Sequence, residues 1–482
     1  MRISALDLAV ILLYLAGITW FGVRFRRRQQ NLRDYFLGGR TTPWWALSFS
    51  IVATETSTLT VIGTPALAFA ANGDMTFLQL VLGYQVARVL ICLLLIPQYF
   101  RGDFYTAYQL IEKRFGQRMR RIAASTFLLT RTLAEGVRVA AVGLVVSVAF
   151  GTGDVMSVVL ITLLTLVYTF HGGLSAVIWT DVVQLAIYVS GAVAAFFLLL
   201  GKIPGGWVEV AQAAAATGKF RVFDFAWSLT SEFTFWSGML GGAFLTTASH
   251  GTDQLMVQRL LAARSERDSK LALLSSGAVI FAQFTLFLLL GVMLYAFHQH
   301  VPLISPGMTN DRIFPEFIVR EMPPGLAGLM IAAVFAAAMS TTSGTLSALA
   351  SSSVVDLYGL RGTGVEADAK FLRLSRRMTL AWGAVLIVLG TLHWGPLLRA
   401  GLQIFSITAG SLLGLFLLGT LNRRANASGA LIGMIAGFGL MLYVKFFTPL
   451  AWTWYVLVGT TTTFVVGSVA SLIDTAPQTE KS

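Results

Sequence analysis

Apolar stretches long enough to cross a bilayer recur along almost the whole chain, and this constrains the fold more than any other feature. A transmembrane helix needs about 20 predominantly apolar residues, and we count about thirteen such segments. They span residues 4–23, 44–71, 76–100, 121–150, 154–171, 175–201, 234–254, 272–297, 323–358, 378–396, 398–421, 429–447 and 451–473. Of the 482 residues, 56% are hydrophobic and only 12% are charged, whereas about a quarter of the residues of a soluble domain are charged. The sequence predicts an all-α polytopic membrane protein with one transmembrane domain over 1–474 and a short cytoplasmic tail over 475–482.

Few residues of this chain suit enzymatic chemistry. The single cysteine, Cys92, excludes a disulfide framework and a cysteine-based metal site. The five histidines show no metal-ligand spacing, and no Ser-His-Asp triad or paired-carboxylate motif is present. We therefore expect no enzyme. In a soluble protein, the net charge of +12 would suggest that the protein binds nucleic acid. Here we assign the charge to cytoplasmic loops. We therefore expect membrane lipid, and no nucleic acid, as a partner. No oligomeric state is predicted.

The distribution of Lys and Arg indicates an orientation. If the N-terminus lies outside and the segments alternate, the inside loops carry about three times as many Lys and Arg residues as the outside loops. This bias predicts an outside N-terminus and an inside C-terminus. An odd number of spans is what such termini require.

The second apolar segment contains an unusual polar cluster. Most residues from Ala53 to Thr60 are Thr, Ser or Glu, and Gly63 and Pro65 follow. Ser and Thr compete for backbone hydrogen bonds, and Gly and Pro weaken a helix. The pattern favours a helix that is broken at mid-membrane beside a polar cavity, where freed carbonyls can bind a cation. The alternative is a polar contact between helices.

The ninth segment contains a second polar cluster, with Ala337, Ser340, Thr341, Ser343 and Gly344 in a run of small residues. Ser340, Thr341 and Gly344 share one helix face. Hydroxyl and carbonyl oxygens suit a hard monovalent cation better than a transition metal. Close helix packing explains this cluster equally well when it is taken alone. Together with the second segment, it predicts a bipartite sodium site.

Three further charged residues lie in or near apolar segments. Asp181 lies inside one, where a carboxylate is costly unless it is paired, hydrated or bound to a cation. Asp253 and Arg259 lie where a segment meets a basic loop. We expect these two residues to pair or to stay hydrated at the interface rather than to bind solute.

A charged triad lies within the fourth segment. Arg131, Glu135 and Arg138 occupy positions i, i+4 and i+7, which share one helix face. The triad would keep one net positive charge. It is either a buried structural network or a clamp for an anion, since an arginine fork matches a carboxylate.

Six sequence motifs together resemble one family of transporters. They are DYFLGGR at 34–40, ATETSTLTVIGTP at 53–65, YTAYQLIEKRFG at 105–116, GGLSAVIWTDVVQ at 172–184, TDQLMVQRLLAAR at 252–264 and FAAAMSTTSGTLSALASSSVVDLY at 335–358. The chain resembles the sodium:solute symporter family, which includes the proline, pantothenate, sugar, sialic acid, monocarboxylate and iodide transporters.

The resemblance implies a leucine-transporter-type fold in a multi-pass protein of the cell membrane, which we expect to be a bacterial inner membrane. Two inverted repeats of five helices would cover about 44–201 and about 234–421, each opening with a discontinuous helix. The extra helices would be 4–23, 429–447 and 451–473.

The resemblance also implies the sodium ligands. Ala53, Thr56 and Ala337 would supply backbone carbonyls, and Ser340 and Thr341 would supply hydroxyls. Some family members have a second sodium site, which would correspond here to Asp181, Ser340 and Ser343. Gly344 stands where that second site needs a hydroxyl, and this departure argues against a second sodium.

The predicted function is sodium-coupled import of a small organic solute by alternating access. The candidate solute residues are Glu55, Ser57, Arg131, Glu135 and Arg138, and a small carboxylate is the hypothesis for the solute. Two alternatives stay open. One is a proton-coupled transporter that uses Glu55 or Glu135 as the proton carrier, and the other is a sodium symporter of a sugar or another neutral solute.

Overall fold

The structure is a computed structural model, and it describes residues 3–24, 32–102, 104–151, 153–305, 307–358, 365–392, 394 and 397–473. The predicted tail at 475–482 lies outside this part of the chain. The helices are α1 (Ala5–Val23), α2 (Leu32–Leu37), α3 (Trp44–Glu55), α4 (Thr58–Phe69), α5 (Phe77–Leu94), α6 (Ile96–Phe100), α7 (Tyr108–Phe150), α8 (Asp154–Lys202), α9 (Gly206–Thr217), α10 (Phe235–Gly251), α11 (Gln254–Leu261), α12 (Glu266–His300), α13 (Ile313–Glu321), α14 (Leu326–Ser352), α15 (Val365–Gly390), α16 (Leu397–Leu421), α17 (Ala427–Phe447) and α18 (Tyr455–Ile473). The described residues form no strand and a single isolated bridge, between Thr42 and Ala263.

Helices coincide with each of the predicted apolar segments. Among the described residues, nine helices are long and apolar enough to cross a membrane, and the bent pair α3–α4 makes a tenth. The predicted segments 154–171 and 175–201 both fall within α8, which is assigned as one helix. An all-helical, multi-pass membrane protein is confirmed, whereas the total of thirteen spans and the orientation of the termini stay predictions.

The second segment is broken, as its polar cluster predicts. Helix α3 ends at Glu55, Thr56 and Ser57 have extended backbone angles, and α4 then leaves at 60° to α3. Pro65 lies inside α4, well beyond the break. The hydroxyl-rich stretch therefore accounts for the break better than the proline does, because its side chains compete with the helical hydrogen bonds.

A second break separates α10 from α11. Thr252 ends α10, and the Asp253 side chain caps α11 by accepting a hydrogen bond from the Leu255 N–H at 2.8 Å. Every residue of α11 is buried. The sequence predicted that the span ends at 254 and that Arg259 lies in the basic loop that follows. Instead, α11 continues into the interior of the protein as a buried half-helix.

Helix α14 runs through the centre of the protein, where it contacts α1, α3, α4, α7, α8 and α11. Its N-terminus is tied to the first helix, because the Asp7 carboxylate accepts hydrogen bonds from the N–H groups of Gly325 and Gly328, both at 2.7 Å. A negative charge at that end also complements the helix dipole. Gly328 allows the close approach, since a Cβ there would lie 2.6 Å from the Cα of Asp7.

The end of the half-helix α4 is held by a buried lysine from the segment after α9. The Lys219 ammonium donates hydrogen bonds to the carbonyls of Ala68 at 2.9 Å, Ala70 at 2.7 Å and Gly73 at 3.1 Å. A cation at the C-terminal end of a helix binds its free carbonyls and complements its dipole. The orientation of α4 is thereby fixed at the end away from the break.

Candidate functional site

The predicted sodium ligands lie on three elements that meet. Ala53 is near the end of α3, Thr56 is in the break, and Ala337, Ser340 and Thr341 are in the middle of α14. All five are at most 1% exposed, and α14 contacts both α3 and α4.

The break frees backbone oxygens at this place. The Thr60 N–H donates to the carbonyl of Ser57, so the Thr56 carbonyl lacks its usual partner four residues on. The Thr56 hydroxyl accepts a hydrogen bond from the Gln283 amide at 2.6 Å. The Thr341 hydroxyl donates to the Ala337 carbonyl at 3.1 Å. These groups are neutral oxygens, which are the ligands that a hard cation prefers.

Asp181 joins four elements. Its carboxylate accepts hydrogen bonds from Ser50 of α3 at 2.5 Å, from Ser340 of α14 at 2.7 Å and from the Arg259 guanidinium of α11 at 2.9 Å. Asp181 and Arg259 are both fully buried. The expectation that Arg259 pairs with Asp253 or stays hydrated is therefore wrong. The break before α11 carries Arg259 into the interior, where Asp181 neutralises it.

Gly344 accommodates this arginine. A Cβ at position 344 would lie 2.7 Å from one terminal nitrogen of Arg259 and 3.2 Å from the other. A larger side chain would therefore need the guanidinium to move. The Ser343 hydroxyl donates to the Ser340 carbonyl at 3.0 Å. The residue that departs from the family's second sodium site thus makes room for the cation that pairs with Asp181.

A cavity of about 120 Å³ lies beside the break and is lined by residues of α3, α4, α5, α7, α10, α11, α12 and α16. Of the predicted solute residues, Glu55, Ser57, Arg131 and Arg138 line it. Glu135 lies behind this lining and is fully buried. We call this space the solute cavity.

The charged triad is assembled differently from the prediction. Glu135 lies 3.2 Å from Arg138 and 3.8 Å from Arg131 and accepts hydrogen bonds from Thr342 and Thr345, both at 3.0 Å. Arg131 also lies 3.5 Å from Asp253, a carboxylate from the second break. The predicted net positive charge is therefore wrong, since two arginines face two carboxylates. The side chain of Arg138 is 24% exposed and that of Arg131 is 5% exposed, so Arg138 is the more accessible guanidinium.

Glu55 is held by two partners that sequence reasoning missed. One of its oxygens lies 2.5 Å from an Arg88 nitrogen and 3.3 Å from the His250 Nε2. Its other oxygen is buried without a hydrogen-bond partner in the described part of the chain. Arg88 had a usable signal, because it is an ionisable residue inside the apolar segment 76–100. His250 had the same signal, because it lies in the apolar segment 234–254, but only the fold brings α10 to the break.

Comparison with known proteins identifies the family of this chain. Residues 35–437 match the sequence profile of the sodium:solute symporter family. The chain belongs to the sodium:solute symporter family. It is 31% identical to the sodium/sialic acid symporter NanT of Aliivibrio fischeri over 473 residues, covering 96% of this chain and 92% of the relative. It is 30% identical to the sodium/sialic acid symporter SiaT of Proteus mirabilis, covering 97% and 95%. Identity to the human sodium-coupled monocarboxylate transporter 1 is 29%, covering 86% and 68%.

Solved structures give the same family and fold. A Na⁺-coupled sialic acid symporter in a substrate-bound outward-open state superposes with a TM-score of 0.88 at 29% identity, over 98% of each chain. A nucleobase-cation-symport-1 family transporter superposes with a TM-score of 0.56 at 13% identity, over 92% of this chain and 94% of that chain, and this similarity concerns the fold alone. The family resemblance of the motifs is confirmed. This protein is a sodium-coupled solute transporter and not an enzyme.

Proposed function

We propose that this symporter imports a small carboxylate together with sodium across a bacterial inner membrane. The observation that carries the proposal concerns Arg138, whose guanidinium lines the solute cavity. Among the described residues it makes one hydrogen bond, to Glu135, and its other N–H donors are left for a solute. A guanidinium fork matches a carboxylate. The relatives named for sialic acid and for monocarboxylates support this solute class.

We propose that the protein has the topology predicted from the sequence. Thirteen spans would run from an outside N-terminus to an inside C-terminus, with the two repeats at about 44–201 and about 234–421. The two broken helices, α3–α4 and α10–α11, would begin these two repeats. A broken helix at the start of each repeat is the arrangement that binds ions and solutes near the midplane.

Sodium would bind between the break and α14. Its ligands would be the carbonyls of Ala53, Thr56 and Ala337 and the hydroxyls of Ser340 and Thr341. Buried neutral oxygens on contacting helices support this site. The Ser340 hydroxyl donates its proton to Asp181, so that its oxygen keeps lone pairs for the cation.

We infer one sodium per solute. The Arg259 guanidinium already neutralises Asp181, the only carboxylate of the proposed second site, and it packs against Gly344. A second cation at Asp181, Ser340 and Ser343 would have to displace a fully buried arginine, and breaking a buried ion pair costs about 3–5 kcal/mol.

The charges of this stoichiometry balance. One sodium and one carboxylate carry no net charge together, so the membrane potential does not drive the coupled step. A tenfold sodium gradient supplies about 1.4 kcal/mol and therefore supports about tenfold accumulation of the acid. A second sodium would add a net charge, worth about 2.3 kcal/mol at 100 mV.

The proton-coupled alternative fits less well. Glu55 is bonded to Arg88, and Glu135 is bonded to Arg138 and two threonines. Both carboxylates are thus engaged in ion pairs, whereas a proton carrier must be free to take up and release a proton.

The experiment is uptake into proteoliposomes that contain the purified chain, with labelled sialic acid and labelled lactate as probes. An inward sodium gradient should drive uptake of one of these acids, and lithium or potassium should not replace sodium. Arg138→Gln should lower uptake of that acid at least about tenfold, because a charged hydrogen bond to the carboxylate is lost. The control Lys202→Gln changes a partly exposed charge far from the cavity in sequence and should transport normally.

Two results would overturn the proposal. Uptake driven by a proton gradient without sodium would support the Glu55 or Glu135 alternative. Normal uptake by Arg138→Gln, with a neutral sugar competing as well as the acids, would make the triad a structural network.

A further inference from the structure

A second cavity, of about 270 Å³, shares no lining residue with the solute cavity. Its walls come from α6, from the start of α7 and from the end of α16. Arg101, Lys113 and Arg114 bring three positive charges to these walls, and no acidic residue is among the described residues that line them. We call this space the basic pocket.

Two of the three cations in the basic pocket are not used by the protein. Arg101 and Lys113 are exposed, and neither makes a hydrogen bond or an ion pair within the described part of the chain. Glu112 precedes Lys113 in the sequence, but its carboxylate pairs with Arg120 at 2.6 Å. The two charges are therefore available to an anion from outside the protein.

The third cation ties two walls of the pocket together. The Arg114 guanidinium of α7 donates hydrogen bonds to the carbonyls of Asn422 at 3.0 Å and Arg423 at 2.6 Å, just beyond the end of α16. Both bonds use one terminal nitrogen and neutral acceptors, so the positive charge stays uncompensated. Arg114 thus shapes the pocket and still contributes to its charge.

The basic pocket lies where two apolar spans end. The span Phe77–Phe100 stops directly before Arg101, and Thr420 lies in the last turn of the span Ala400–Leu421. An apolar span ends where the hydrocarbon core of the bilayer gives way to the headgroups. The three cations are therefore at the depth of the lipid headgroups.

The loops beside the pocket share one side of the membrane in the predicted orientation. The loops that hold Arg101 and Arg423 are both inside loops there, and the pocket and the Arg114 bonds bring them together. The cytoplasmic leaflet carries anionic lipids, and basic pockets between transmembrane helices on that side bind phosphate headgroups. Depth, side and charge all favour the same class of ligand.

We propose that the basic pocket binds the phosphate headgroup of an anionic phospholipid. Arg101 and Lys113 bind the phosphate oxygens, and Arg114 adds its remaining donors, because guanidinium and ammonium groups both match phosphate. A headgroup with two phosphates offsets more of the three charges than a headgroup with one. The site goes beyond the proposed function, since it depends neither on the solute nor on the number of sodium ions.

A bound lipid would join two helices of the solute cavity. Helix α7 supplies Arg131 and Arg138 to that cavity, and α16 supplies Phe405. The same two helices form opposite walls of the basic pocket. A ligand that binds only the folded protein stabilises it, so we expect the lipid to raise the unfolding temperature.

The test measures lipid binding to the purified full chain in an uncharged detergent, by native mass spectrometry and by thermal unfolding. The separate probes are cardiolipin with two phosphates, phosphatidylglycerol with one, phosphatidylethanolamine without net charge, and inorganic phosphate. Cardiolipin should bind most tightly and phosphatidylglycerol next. Phosphatidylethanolamine and inorganic phosphate should bind at least about tenfold more weakly than cardiolipin.

A paired substitution isolates the pocket. Arg101→Gln with Lys113→Gln should weaken cardiolipin binding about 30-fold, because two cationic contacts to phosphate are lost. Without lipid, this variant should unfold at the wild-type temperature, since neither side chain bonds to the described residues. If it does not, Lys113→Gln alone serves, with a loss of about fivefold. The control Arg267→Gln with Arg377→Gln removes two exposed charges that do not line the pocket and should bind cardiolipin like the wild type.

The other outcomes each overturn the inference. Equal weakening in the pocket variant and the control would show a general attraction to the basic surface instead of a site. Equal binding of charged and uncharged lipids, or tight binding of inorganic phosphate, would exclude an anionic headgroup as the specific ligand. If no lipid binds the wild type, there is no lipid site. Sodium-driven uptake of a carboxylate is measured separately, so the proposed function stands or falls on its own.

Discussion

The sodium region and the solute cavity of this symporter satisfy their charges in opposite ways. We define the sodium region as Ala53, Thr56, Asp181, Arg259, Ala337, Ser340, Thr341 and Gly344. There the only charged groups, Asp181 and Arg259, bind each other in full burial. In the solute cavity, Arg138 is partly exposed, and one Glu55 oxygen is buried without a hydrogen-bond partner among the described residues.

This difference matches two proposed tasks that both need polar groups in a membrane, the binding of sodium and the binding of solute. Internal neutralisation leaves the sodium region with neutral oxygens for one small cation. In the solute cavity, by contrast, Arg138 keeps N–H donors that a larger polar molecule could use. We therefore expect the charge on Arg259 to act on coupling and the charge on Arg138 to act on solute choice.

The largest expected effect comes from breaking the buried pair of the sodium region. Asp181→Asn should destabilise the protein by about 3–5 kcal/mol, because it leaves Arg259 buried and unpaired. Adding Arg259→Gln to that variant should recover most of the loss. Thermal unfolding of the purified chain measures both. If Asp181→Asn alone unfolds at the wild-type temperature, the pair does not hold the region together.

A smaller effect is expected from crowding the same pair. In Gly344→Ala the new Cβ would lie 2.7 Å from Arg259 and 2.9 Å from Leu255, and overpacking of this kind costs about 1–3 kcal/mol. Gly439→Ala is the matched control, since a Cβ there meets nothing within 4 Å and the helix gains a better helix former. Equal unfolding temperatures for the two variants would contradict the packing of Arg259 on Gly344.

The smallest effect separates the sodium region from the solute cavity. Ser340→Ala and Thr341→Ala each remove one proposed sodium ligand, and we expect the sodium concentration for half-maximal uptake to rise about tenfold, or about 1.4 kcal/mol. The preference among solutes should not change. Ser375→Ala in α15 removes a hydroxyl bonded only within its own helix and is the control. Unchanged sodium dependence in both variants would refute the assigned site.

The sequence predicted the breaks better than the contacts. The hydroxyl cluster around Thr56 predicted the broken helix, because the competition for backbone hydrogen bonds involves only residues that are close in the sequence. The pairing of Asp181 with Arg259 could not be predicted from neighbouring residues. It joins residues 78 positions apart and depends on α11 turning inward after Asp253.

The same limit applies to the charged triad. The helical spacing of Arg131, Glu135 and Arg138 put them on one face, as the structure has them. That spacing could not show that Asp253 neutralises Arg131, which changes the net charge of the cavity from one to zero. Local periodicity predicts faces of helices, whereas the tertiary fold decides the charge balance between them.

We propose that one sodium is carried with one carboxylate, because Arg259 already neutralises Asp181 and leaves no site for a second sodium. The direct test is steady-state accumulation of the transported acid in proteoliposomes under a fixed sodium gradient, with and without an imposed inside-negative potential. We expect the same accumulation in both conditions, since the coupled step moves no net charge. Clearly higher accumulation under the negative potential would show that a net positive charge crosses with the solute, and the one-sodium stoichiometry would then be wrong.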